Sequence, residues 1–140
     1  MLVLDTSGLL AAIGPEQPHH EEARQVLLSD PGPLLLSPYV LAEVDYMLLK
    51  LAGERRELQF LHDVSDGSYE MVSMTAADVR RTVHIVERYR GMSIGLTDAS
   101  VALVAGRHAT TRVLTLDQRH FRVMKPLWGD AFTVLPADAN

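Results

Sequence analysis

A chain of 140 residues with 47% apolar side chains has the length and core material of a single domain, residues 1–140, and too much apolar content to stay unfolded. It has no cysteine, which excludes a disulfide framework, a thiol nucleophile and a thiolate zinc site; no apolar run approaches the ~18 residues of a membrane span, and Met-Leu-Val-Leu-Asp lacks the basic start of a signal peptide, all of which suits the cytoplasm. The formal net charge of −5 argues against a nucleic-acid binder of the simple basic kind, but the charge is uneven: residues 1–70 carry 4 basic and 12 acidic side chains, residues 71–140 carry 9 and 6.

Leu2–Leu4 is a short apolar run ending at Asp5, the pattern of a strand buried on both faces. Thr6-Ser7-Gly8 leads into a short helix, Leu9–Ile13, stopped by Gly14-Pro15. A second helix is predicted from about Gln17 to Ser29, closed by Asp30-Pro31-Gly32-Pro33. Leu34–Leu36 is another buried strand. Ser37-Pro38 is an N-cap followed by proline at the first helical position, opening a long helix to about Ala52 that Gly53 ends. Glu54–Val64 reads as a helix and Asp66-Gly67 as a turn. Tyr69–Met74 is strand-like, and Thr75 caps a helix reaching about Tyr89. After the loop Gly91–Gly95, Thr97–His108 is helical, Arg112–Leu116 is a strand and Phe132–Leu135 a final one. Alternation of strands and helices predicts an α/β fold with a largely parallel sheet covered on both faces.

Open parallel sheets bind ligands beyond the carboxyl ends of their strands. Asp5 and Asp117 both follow predicted strands. The plain alternatives are a turn or cap role for Asp5 and an N-cap role for Asp117. In the helix from Pro38, residues Val40, Val44, Met47 and Leu51 have the spacing of a buried stripe. Glu43 falls inside that stripe, where an ionised carboxylate needs a partner, and a cation is one. Its alternative is a glutamate at the stripe edge that bends out to solvent. Asp98 shares a helical face with Val101, Ala102 and Ala105; the alternative is an acid favoured by the helix dipole behind an N-cap at Thr97. Four acids of this kind suit a hard divalent cation. Thr6, Ser7, Thr97 and Thr115 neighbour them, and their hydroxyls either orient ligands or cap locally. Arg80, Arg81, Arg88, Arg90, Arg107, Arg112, Arg119 and Arg122 suit phosphate contacts or simply line solvated helix faces. The six histidines show no metal-ligand spacing and read as surface or packing residues; His120, close to Asp117, is the one exception to watch.

Leu4-Asp5-Thr6-Ser7, Ser37-Pro38 with Leu41-Ala42-Glu43-Val44, Leu96-Thr97-Asp98-Ala99, and Leu114-Thr115-Leu116-Asp117 with Phe121 together resemble the PIN domain, most of all the VapC-type toxins of bacterial toxin–antitoxin pairs. The resemblance spans nearly the whole chain. It implies an α/β/α sandwich, an acidic pocket binding Mg2+ or Mn2+, and endonucleolytic cleavage of RNA such as tRNA or ribosomal RNA. It also implies a homodimer inhibited by a small cognate antitoxin. The four acids carry over as Asp5, Glu43, Asp98 and Asp117. The reaction it implies is metal-assisted phosphodiester hydrolysis, which needs no histidine. Two rivals remain at this level. One is a phosphatase using Asp5 as nucleophile, a family that wants a second Asp two residues on, where Ser7 stands. The other is a non-catalytic binding module of the same fold.

Overall fold

The computed structural model describes residues 1–139. Five strands form one parallel sheet in the order β3-β2-β1-β4-β5: β1 (Leu2–Leu4), β2 (Leu34–Leu36), β3 (Glu70–Met71), β4 (Arg112–Leu114) and β5 (Thr133–Leu135). Leu2, Val3 and Leu4 point alternately to opposite faces, yet none has any exposed surface. Both faces of the sheet centre are therefore covered, which makes the α/β/α sandwich of the sequence reading.

Among the described residues seven helices supply the covers: α1 (Thr6–Ile13), α2 (His20–Ser29), α3 (Pro38–Ala52), α4 (Glu54–Ser65), α5 (Ala76–Arg88), α6 (Leu96–Arg107) and α7 (Gln118–Val123). Local chemistry sets their ends. Ser37 accepts a hydrogen bond from the Tyr39 N–H with Pro38 in the first turn of α3. Thr75 and Asp78 close a reciprocal capping box on α5. The α6 helix is buried nearly all round, from Ala99 to Ala105, so it is a central rather than an amphipathic surface helix.

Some boundaries differ from the sequence reading. Strand β3 is only two residues long, because Glu70 and Met71 are exposed at the sheet edge while Tyr69 and Val72 turn into the core. Strand β4 stops at Leu114, although the Thr115 N–H still bonds the Leu135 carbonyl. Helix α2 begins at His20 rather than Gln17. Helix α6 begins at Leu96 with Gly95 as its N-cap, so Thr97 is not a cap. The buried stripe of α3 is Val40, Val44 and Leu48; Leu51 is half exposed and Met47 only partly buried.

One close contact positions the site. Gly8, in α1, packs on the end of β4 so tightly that an added Cβ would lie 2.3 Å from the Leu114 carbonyl oxygen. The chain runs outward from β1 through β2 to β3, then returns to β4 beside β1 and continues to β5. The direction of winding thus switches between β1 and β4, the place where such sheets bind ligands.

Candidate active site

Asp5 leaves the end of β1, and Thr115 and Asp117 leave the end of β4, so the switch point is acidic from the start. Asp98 comes from the first turn of α6 and Glu43 from the second turn of α3. These four carboxylates line one cleft of about 640 Å³, with Leu10, Tyr46 and Met47 on its apolar side.

Of the four hydroxyls singled out in the sequence, Thr6, Thr97 and Thr115 bond these carboxylates directly and Ser7 reaches them through Thr115. Thr6 Oγ1 donates to Glu43 Oε1 at 2.7 Å, and Thr97 Oγ1 donates to Oε2 at 2.6 Å. Glu43 is therefore held at both oxygens by residues of α1 and α6. Its residue is exposed rather than buried, which corrects the expectation that it lies in the apolar stripe. Position 43 flanks the stripe, and the carboxylate reaches across to two hydroxyls. Thr115 Oγ1 donates to Asp5 Oδ2 at 2.7 Å and accepts from the Asp117 N–H at 2.9 Å. Ser7 Oγ lies 3.2 Å from Thr115 Oγ1 and accepts from the Leu116 N–H. Asp117 takes the N-cap role weighed for it, Oδ1 accepting from the His120 N–H at the start of α7, while Oδ2 faces the His120 ring.

Sequence reasoning missed the Ser37–Ser100 pair and the reach of His120 to Asp98. Ser37 Oγ and Ser100 Oγ meet at 2.9 Å in the core, tying the start of α3 to α6 beneath the cleft. His120 Nδ1 lies 2.9 Å from Asp98 Oδ2 and 2.8 Å from Asp117 Oδ2, while Nε2 bonds the Met92 carbonyl. The only signal in the sequence is that His120 stands one helical turn past Asp117.

Burial dominates the electrostatics. Asp5 is 4% exposed, and its carboxyl is pushed up to about 7. Desolvation is the main cause; the Thr115 bond opposes it, and the charges of Asp98 and Asp117 add to it. Burial also raises the Asp98 carboxyl, with the His120 ring pulling the other way and Asp117 and Glu43 pushing up. An all-oxygen set of crowded, half-desolvated carboxylates fits a hard divalent cation, whose charge offsets the repulsion that lifts Asp5 and Asp98.

A pH dependence follows for the metal-free protein. Unfolded, Asp5 titrates near 3.8; folded, near 7. Between those values the native chain keeps a proton that the unfolded chain has lost, so stability falls as pH rises through the window and levels off above it. Asp30, Asp78 and Asp138 are held below the ordinary range and act only below about pH 4. Melting in EDTA should therefore show a midpoint that declines from pH 5 to 7.5, and Asp5→Asn should flatten most of the slope. A wild-type profile already flat over that range would mean that Asp5 ionises at ordinary pH.

Comparison with known proteins agrees with this geometry. The PIN domain family model matches residues 2–126. Ribonuclease VapC26 of Mycobacterium tuberculosis is 36% identical over 135 residues, covering 96% of this chain and all of that protein. The crystal structure of M. tuberculosis VapC20, described as a sarcin-ricin loop cleaving toxin, superposes with a TM-score of 0.78 at 19% identity, over 84% of this chain and 91% of that one. Among the described residues no helix is long and apolar enough to cross a membrane. With the sheet order, the acidic switch point and the family match over most of its length in agreement, the chain belongs to the PIN domain family.

Proposed function

We propose that this protein is a metal-dependent endoribonuclease and the toxin of a toxin–antitoxin pair. The observation that carries the reading is the convergence of Asp5, Glu43, Asp98 and Asp117 on one cleft, in a chain 36% identical to a named ribonuclease. In it, Asp5, Asp98, Asp117 and Glu43 hold Mg2+ or Mn2+. A divalent cation there supplies Lewis acidity to phosphoryl oxygens and makes water a competent nucleophile at neutral pH. The protein's part is placement. Thr115 and Ser7 hold Asp5 and the β4 end together, and Thr6 and Thr97 leave Glu43 little freedom to rotate. Preorganised charge of this kind needs no rearrangement when the phosphodiester arrives.

The substrate in this reading is structured RNA such as tRNA or ribosomal RNA, and the protein is a homodimer. Its other partner is a small antitoxin. Support for a covering partner comes from α3 and α4, where Tyr46, Leu49, Leu58 and Leu61 are exposed and Tyr46 also lines the cleft. An arginine or lysine of that partner entering the acidic cleft would make short charge-assisted bonds in a cation position.

The test is cleavage of a model RNA by the purified chain with Mg2+ or Mn2+, and its loss in EDTA. In a bacterial host the wild type should stop growth, and both Asp98→Asn and co-expression of a neighbouring small gene should restore it. Hydrolysis of an aryl phosphate with RNA left intact would point to the phosphatase chemistry instead. A chain that accumulates harmlessly in its native host without a small co-purifying partner removes the toxin assignment, even if the nuclease survives.

A further inference from the structure

The carboxylates do not account for the state of His120. Its Nε2 lies 2.9 Å from the Met92 carbonyl oxygen, and a carbonyl only accepts, so Nε2 carries a hydrogen and Nδ1 is the ring nitrogen left to offer a lone pair to a cation. Nδ1 is shielded from solvent and makes no hydrogen bond. Yet Asp98 Oδ2 and Asp117 Oδ2 stand only 2.9 and 2.8 Å away. At those distances only direction can fail, so both oxygens lie off the axis of the ring nitrogen. Neighbouring ligands of an octahedral ion bound at about 2.1 Å stand about 3 Å apart, each off the other's bond axis. Nδ1 has that spacing to each of the two carboxylate oxygens, and ligand atoms of the three residues lie within 4.8 Å of one another.

We infer that His120 Nδ1 is a nitrogen ligand of the divalent centre beside Asp98 and Asp117, and that it shifts the centre's preference from Mg2+ toward Mn2+. The inference rests on the metal-centre reading above. A ligating histidine characteristically gives its other N–H to a backbone carbonyl, as Nε2 does to Met92. Mg2+ takes oxygen almost exclusively, while first-row transition ions gain from an imidazole.

The experiment uses the full chain and Mn2+ itself. Pulsed electron paramagnetic resonance of the Mn2+-loaded protein should show the nitrogen modulation of a directly bound imidazole. The signal should change when histidine is labelled with nitrogen-15, which requires no variant, and vanish in His120→Asn. Calorimetric titration should show the Mn2+-to-Mg2+ affinity ratio falling about 10- to 100-fold in both His120→Asn and His120→Gln. Mn2+ bound with no nitrogen modulation in the wild type, or an unchanged affinity ratio in both variants, overturns the assignment and leaves the carboxylate centre standing. Failure of the wild type to bind Mn2+ at all sinks the carboxylate centre, and the His120 assignment with it.

Discussion

Asp5→Asn is expected to cut RNA cleavage by orders of magnitude while raising the melting temperature of the metal-free protein. The side chain keeps its shape and can still accept the Thr115 hydroxyl bond that Asp5 Oδ2 takes at 2.7 Å. What it loses is a charge that is buried, pushed up to about 7, and crowded by Asp98 and Asp117. Removing that charge relieves the apo protein and deprives the cation of a ligand. A roughly 10²- to 10³-fold loss in kcat/KM is the scale for deleting one preorganised electrostatic group, and Asp98→Asn should match it. A cation at a hundred times its Kd stabilises the wild type by about 2.7 kcal/mol, and this gain should shrink in the variant. Cleavage assays and melting curves with and without metal read both effects. Near-full nuclease activity in both variants would show that the acids have been assigned wrongly.

Gly8→Ala should be the most damaging small substitution in the protein. Its Cβ would stand 2.3 Å from the Leu114 carbonyl oxygen, 2.4 Å from the Leu114 carbonyl carbon and 2.6 Å from the Thr115 nitrogen, all backbone. Backbone of a central strand cannot move aside as a side-chain tip can. Helix α1 must lift from β4, taking Ser7 off the Leu116 N–H and Thr115. Overpacking against a rigid wall costs about 3 kcal/mol or more, or roughly 10 °C in Tm at this chain length. The same step loosens the hold on Asp5, so activity should fall further than stability alone explains. Gly95→Ala is the control: nothing lies within 4 Å of its Cβ position, and its φ is −103°. It should melt within a few degrees of the wild type, and equal losses in the two variants would contradict the packing account.

The helix and strand order was legible in the sequence because its punctuation is strong. Ser37-Pro38, Thr75 with Asp78, and Gly53 each have a mechanism that acts locally, and each marks the boundary it implies. Asp5 and Asp117 were legible because the end of a buried strand is a defined place in a parallel sheet. Glu43 was found by an argument that fails in detail. The apolar stripe runs through Leu48, not Leu51, and Glu43 lies beside it, exposed and gripped by Thr6 and Thr97. Those hydroxyls are 37 and 54 residues away from it, and no periodicity reports such a pair. The tie between Ser37 and Ser100 is hidden for the same reason. His120 stood out only through its nearness to Asp117; its contacts with Asp98 and the Met92 carbonyl were hidden, because ligand-spacing rules look for repeated residue types and these partners come from α6 and the segment after α5.

The pairing of the first strand with the fourth also sets a clock. The hydroxyl that holds Asp5 lies 110 residues further along the chain, and Asp117 follows it. At about 5–20 residues per second, a ribosome needs roughly 6–22 s to travel from one acid to the other. Until then β1 has β2 on one side and an open edge on the other, and the cleft lacks Asp117 and His120. A nascent chain is therefore chemically harmless for most of its synthesis. The acidic cleft is complete only once Thr115, Asp117 and His120 have left the ribosome, long after Asp5 has done so.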